Sequence, residues 1–181
     1  MRILPAAKGE IMKHEQLKKL VTSALLVAVI IVLSGFYIPV GASKCFPIQH
    51  MVNILSAILL GPGWGVAIAF VASLIRNLMG TGSLMAFPGS MVGALCCGLM
   101  FKATKKYIPT YLAEVLGTGL FGGLLAFPVA VLLMGNKQAA LFTYVLPFFI
   151  STAGGTLLAA ILVSILDRTK ALQYMHQVLS E

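Results

Sequence analysis

The sequence predicts an all-α integral membrane protein with six transmembrane helices. Two observations set the class. The 181 residues are 59% apolar and only 10% charged, whereas a soluble domain carries about 25% charged residues. The apolar residues also fall into blocks of membrane-span length. A third observation orients the chain. Six spans place both termini on one side, together with Arg2, Lys8, Lys13, Lys18, Lys19, Lys102, Lys105, Lys106, Arg168 and Lys170. Only Lys44, Arg76 and Lys137 fall on the other side. Short cytoplasmic segments carry the excess of Lys and Arg, so both termini are expected in the cytoplasm. The same clustering accounts for the net charge of +8 and removes the case for nucleic acid as a partner.

Three parts follow from this pattern. Residues 1–19 form a basic N-terminal segment, with Ile11, Leu17 and Leu20 suited to a short amphipathic helix on the membrane surface. Residues 20–166 are the membrane domain. Residues 167–181 are a cytoplasmic tail, read as a polar helix or as disordered. No small-x-small cleavage site follows the first apolar run, so that run is expected to stay as a span.

The first span covers residues 20–36. Ala24 and Ala28 lie one turn apart there, a spacing that admits a closely approaching helix from this protein or from a partner. Residues 37–50 contain Pro39, Gly41 and Pro47, which break helices. A loop of that length with aromatic residues suits the cover of a pocket. The second span, residues 48–60, is short and opens with Gln49, His50 and Asn53. His50 and Asn53 share a face, and either line a pocket or solvate the helix end. Residues 61–65 read as a turn. The third span, residues 66–78, closes on Arg76 and Asn77, and a Gly/Thr/Ser turn follows. The fourth covers residues 87–101, with Pro88 in its first turn and Gly89 and Gly93 allowing close approach. Lys102, Lys105 and Lys106 mark a basic loop broken by Pro109. The fifth, residues 112–134, has Glu114 near its start, Gly119 and Gly123 on one stripe, and Pro128 as a kink. The sixth covers residues 141–166 and puts Tyr144, Phe148 and Ser151 on one face.

Several functions lack their residues. There are no paired carboxylates, Cys/His pair or metal-ligand cluster, so no catalytic or metal site is expected. Cys96 and Cys97 read as small packing residues. No Gly-rich loop ending in Lys-Ser or Lys-Thr is present. A self-sufficient secondary transporter usually shows repeats or ionisable relays, and this chain shows no convincing repeat and no buried acid apart from Glu114. Its acids, Glu10, Glu15, Glu114, Asp167 and Glu181, all belong to the cytoplasmic half by span counting. An outer pocket without a carboxylate favours a neutral or anionic ligand over a strongly cationic one.

The run Arg-Asn-Leu-Met-Gly-Thr-Gly-Ser-Leu-Met-Ala-Phe-Pro-Gly-Ser-Met-Val-Gly-Ala-Leu at residues 76–95 resembles the ThiW family. Members of that family are substrate-binding S components of energy-coupling factor (ECF) vitamin transporters. The resemblance extends over residues 17–166. It implies an S-component-like bundle in the plasma membrane of a prokaryote, without catalytic activity. Such a subunit captures a vitamin precursor from outside and docks onto one transmembrane coupling subunit and two ATP-binding subunits. It holds no cofactor itself, and ATP is used by the partners. Ala24 and Ala28 match the Ala-x-x-x-Ala motif that contacts the coupling subunit. The implied ligand is hydroxyethylthiazole, the thiazole half of thiamine, with thiamine itself as the alternative.

A small, mostly apolar ring with one hydroxyl and one ring nitrogen calls for aromatic or Met walls and a few placed polar groups. Phe46, Met85, Phe87, Tyr144 and Phe148 are the candidate walls. Gln49, His50, Asn53, Asn77, Ser83, Ser90 and Ser151 are the candidate hydrogen-bonding residues. Arg76 suits a hydroxyl or phosphate, or else clamps loop carbonyls. The loops at residues 37–50 and 76–87 are expected to cover the pocket.

Overall fold

The computed structural model describes residues 5–40 and 43–180. Arg2 and Glu181, which entered the charge argument, lie outside them. The helix enclosed by the others is α2 (Pro47–Leu59), whose polar Gln49, His50, Asn53 and Ser56 are buried together with most of its apolar residues. Eleven of its 13 residues are buried. Around it pack α3 (Pro62–Leu78), α4 (Ala86–Thr104) and α7 (Val145–Arg168), with α1 (Pro5–Val32) against α3 and α2. The fifth span is one helical stretch, Tyr107–Leu133. It consists of α5 (Tyr107–Leu116), a π-helical stretch Gly117–Gly122, α6 (Gly123–Pro128) and a second π-helical stretch Val129–Leu133. The kink expected at Pro128 thus falls at a junction where the helix has already widened.

The helices at residues 14–35, 86–104, 107–133 and 145–168 are long and apolar enough to cross a membrane. α2 and α3 have only 13 and 17 residues. Thirteen residues rise about 20 Å, short of the roughly 30 Å of a hydrocarbon core. The N-terminal end of α2 is extended by a small hairpin, strands Ile38–Val40 and Ser43–Cys45, with Ile38 opposite Cys45 and Pro39 opposite Lys44.

Four boundaries differ from those expected from sequence. α1 is continuous from Pro5 into the first span, so residues 5–19 are not a separate surface helix. α3 begins at Pro62: Gly61 takes φ +87° and Pro62 suits a first helical position, which shrinks the turn. α5 begins at Tyr107, so Pro109 sits in its first turn instead of breaking a loop. The tail forms α8 (Ala171–Ser180), which is amphipathic rather than polar all round. Its Leu172 and Leu179 bury against Ile54, Ile58, Phe101 and Val163. That apolar cluster closes one end of the bundle. The polar residues gather at the other end.

Large apolar side chains cover the outside of the bundle, among them Leu25, Val32, Leu116, Leu157 and Ile161. A lipid solvent removes the cost that such a surface would carry in water. The interior lines are set by small residues. A Cβ at Gly122 would lie 2.8 Å from Gly89 Cα, and one at Gly155 would lie 2.3 Å from the Pro47 carbonyl oxygen. Those approaches bring α4 against the fifth span and α7 against the start of α2.

Candidate functional site

A cavity of about 470 Å³ lies at the N-terminal end of α2. Phe46, Gln49 and His50 line it from α2 and its lead-in. Ser83, Met85 and Ser90 come from the turn before α4 and its first turns. Tyr144, Phe148 and Ser151 come from the start of α7. These nine belong to the thirteen residues singled out from sequence. The shared face expected of Tyr144, Phe148 and Ser151 does face one space.

The hairpin is tied down over this space by backbone geometry. The Phe46 N–H donates to Ser151 Oγ at 2.8 Å, and Cys45 Sγ lies 3.2 Å from the Pro147 carbonyl oxygen. Lys44 Nζ sits 4.7 Å from the Tyr37 ring centre, and Tyr37 packs obliquely on Phe46. The second cover is the turn after α3. Gly80 takes φ +69°, and the chain folds back so that Thr81 and Gly82 N–H groups donate to the Arg76 carbonyl at 2.9 and 3.0 Å. A Cβ at Gly82 would lie 3.1 Å from Arg76 Cβ, which explains the second glycine.

The other four sequence candidates are not in the cavity wall. Asn77 Nδ2 donates to the Ser73 and Ser83 carbonyls at 2.8 and 3.0 Å and so holds the turn. Phe87 packs on Phe70, which is itself exposed on the outer surface. Asn53 lies beneath the wall, donating from Nδ2 to the Ser90 carbonyl and to Glu114. Arg76 is 1% exposed. Its Nη1 donates to Gln49 Oε1, and its guanidinium stacks 3.7 Å from the Phe46 ring centre. Its Nε and Nη2 have no hydrogen-bond partner among the described residues. It braces two wall residues from behind, and Gln49 Nε2 passes the chain on to Ser73 and Ser90 through contacts of 3.2 Å.

The structure also corrects the charge argument. Span counting put Glu114 in the cytoplasmic half and left the outer pocket without a carboxylate. Glu114 is seven residues into its helix, about 10 Å along it, and wholly buried. The short α2 brings His50 and Asn53 down to meet it. His50 Nδ1, Asn53 Nδ2 and Thr118 Oγ1 each lie 3.0 Å from Glu114 Oε1. His50 and Thr118 both line the cavity. A carboxylate therefore sits directly behind the wall, and the case against a cationic ligand loses its basis.

Sequence reasoning missed Glu114, Thr118, Lys44 and Asn136 as parts of this site. A signal existed for two of them. Glu114 is an ionisable residue inside a span, and Thr118 follows it by one helical turn. Asn136 lies in a turn and donates from Nδ2 to the Tyr144 hydroxyl at 3.1 Å. Nothing local distinguishes it from an ordinary turn residue.

A lipid-facing helical bundle with a small-molecule cavity at one end, roofed by two short segments, defines a membrane protein that binds a small solute. Residues 20–169 match the family model described as thiamine-precursor transporter protein (ThiW). The chain belongs to that family, and its class is that of a transporter for a thiamine precursor. Comparison with curated proteins and with solved structures finds no match in either.

Proposed function

We propose that the chain is the S component of an ECF-type importer and captures hydroxyethylthiazole from outside the cell. The observation that carries this reading is the cavity. At about 470 Å³ it falls within the range of small-molecule sites, and its walls mix Phe46, Met85, Tyr144 and Phe148 with a few polar groups. The family's description names a precursor, which favours half of thiamine over the whole vitamin. Six spans with cytoplasmic termini in a prokaryotic plasma membrane complete the reading, supported by the distribution of Lys and Arg. The hairpin and the residue 79–85 turn close over bound ligand. ATP hydrolysis by two partner subunits then reorients the bundle through the coupling subunit, and this chain needs no cofactor of its own. Ala24 and Ala28 form the docking surface on the coupling subunit. Both are exposed, so packing within this bundle does not explain their spacing.

The test is thermal stability of the purified protein in detergent, with hydroxyethylthiazole, thiamine and the pyrimidine half of thiamine. A ligand at 100 times its dissociation constant should add about 2.7 kcal/mol. Stabilisation by the thiazole alone is expected. Stabilisation by thiamine alone would keep the transporter and replace the ligand, and the Glu114 carboxylate would then supply the counter-charge for the thiazolium ring.

A further inference from the structure

His50 and Glu114 meet across the bundle from residues 64 positions apart, and the chemistry of their contact can be assigned atom by atom. Asn53 Nδ2 lies 3.1 Å from the Ser90 carbonyl oxygen as well as 3.0 Å from Glu114 Oε1. A carbonyl has no proton to give, so the Asn53 atom there is the amide nitrogen and it donates. Glu114 Oε1 accepts there and also lies 3.0 Å from the Thr118 hydroxyl; as the unprotonated carboxyl oxygen it accepts from the imidazole too, which presents its proton at Nδ1. The assignment does not depend on whether Glu114 Oε2, which has no partner among the described residues, carries a proton.

Two further observations fix what His50 offers to the cavity. Its Nε2 has no partner among the described residues, and the residue lines the cavity. A neutral ring protonated at Nδ1 carries its lone pair on Nε2. Gly93 keeps the room for this arrangement: a Cβ there would lie 1.9 Å from Thr118 Oγ1 and 2.8 Å from both Glu114 carboxylate oxygens.

We propose that Glu114 is a positioning residue that holds His50 as a hydrogen-bond acceptor toward the cavity, and that His50 Nε2 accepts a hydrogen bond from the ligand's hydroxyl group. The proposal rests on the small-alcohol ligand inferred above. An alcohol can donate to Nε2. A methyl ether or an alkyl chain of similar size cannot, and it leaves the ring nitrogen unpaired.

The experiment combines two readouts on the detergent-solubilised full chain. Binding is measured for hydroxyethylthiazole, its methyl ether and its 5-ethyl counterpart. In parallel, nitrogen NMR of ¹⁵N-histidine-labelled protein reads the tautomer. The chain has three histidines, His14, His50 and His176, so single substitutions assign the signals. The expected spectrum shows His50 neutral, protonated at Nδ1, with Nε2 shifting when the alcohol is added. The alcohol should bind at least about tenfold tighter than the ethyl compound. H50F should remove that preference while still binding the ethyl compound. E114L should release the ring and lower the preference, and E114Q, which keeps an acceptor oxygen, should restore it. An Nε2-protonated or doubly protonated ring in the wild type overturns the proposal, as does an alcohol preference that survives H50F. If none of the three thiazoles binds the wild type, the ligand reading falls, and the spectrum alone decides: Nδ1–H supports the assignment of His50, Nε2–H overturns it.

Discussion

At the scale of single residues, the site depends on what is absent at Gly93 as much as on what is present at Glu114. A methyl group at that position would collide with Thr118 Oγ1 and with both Glu114 oxygens, three atoms held by hydrogen bonds or close packing. G93A should therefore lower stability by about 1–3 kcal/mol, the usual cost of overpacking. Gly63 is the matched control, because nothing lies within 4 Å of a Cβ built there. G63A lies in α3 with ordinary backbone angles and should be neutral or add up to about 1 kcal/mol. Thermal melting of the two variants side by side checks the pair. Equal melting temperatures would mean that α4 can move away from α5 at no cost, and that the carboxylate pocket is not tightly built. Arg76 teaches a related point. A buried guanidinium close to a cavity invites the role of ligand anchor; here Nη1 donates to Gln49, the flat face lies on Phe46, and Nε and Nη2 have no partner among the described residues. Its type was legible in the sequence, but its direction was not.

At the scale of elements, the cover of the cavity is latched by very few bonds. The hairpin has strands of three residues, too short to be stable alone. Its attachment to α7 rests on the Phe46 N–H to Ser151 Oγ bond of 2.8 Å and on the Cys45–Pro147 contact. S151A leaves a backbone donor without its partner, a loss of about 1–3 kcal/mol where the group stays buried. Hydrogen exchange at the Phe46 amide should rise roughly tenfold or more, with exchange in the middle of α2 unchanged. Unchanged exchange at Phe46 would show that the hairpin is held by packing alone. The sequence signals for this element were its prolines and aromatics, which correctly marked a break in helix. The pairing of its strands, and their attachment to a helix about a hundred residues later, are long-range facts.

At the scale of the whole molecule, the bundle has a polar end and an apolar end. α8 and the Ile54–Phe101–Val163 cluster seal one, and the cavity opens at the other. α1 stands at the edge, with Ala24, Leu25, Ala28 and Val29 outward. In the proposed importer this is where the coupling subunit docks. Replacing both alanines with leucine should abolish thiazole uptake into cells or vesicles containing the full transporter. Ligand-induced stabilisation of the isolated chain should remain unchanged, because neither position touches the cavity. Uptake that survives the double substitution would place the docking surface elsewhere.

Composition and periodicity by themselves determined the membrane class and the approximate place of each helical segment, and the order of residues in the 76–95 run carried the family resemblance. They could do so because each is a local property: span length, charge at span ends, and a contiguous motif. They also brought nine of the cavity-lining residues into view, since polar and aromatic groups at the ends of apolar runs stand out against their surroundings. Only the tertiary structure decided which side chains share a space. Counting along the sequence places Glu114 in the cytoplasmic half because it gives depth one helix at a time, with no account of a 13-residue neighbour. α2 has only 13 residues, and its packing against the fifth helical stretch sets His50 and Asn53 level with the Glu114 carboxylate. Rotation about a helix axis and the depth at which two helices meet are set by packing across the bundle, and no local pattern encodes them.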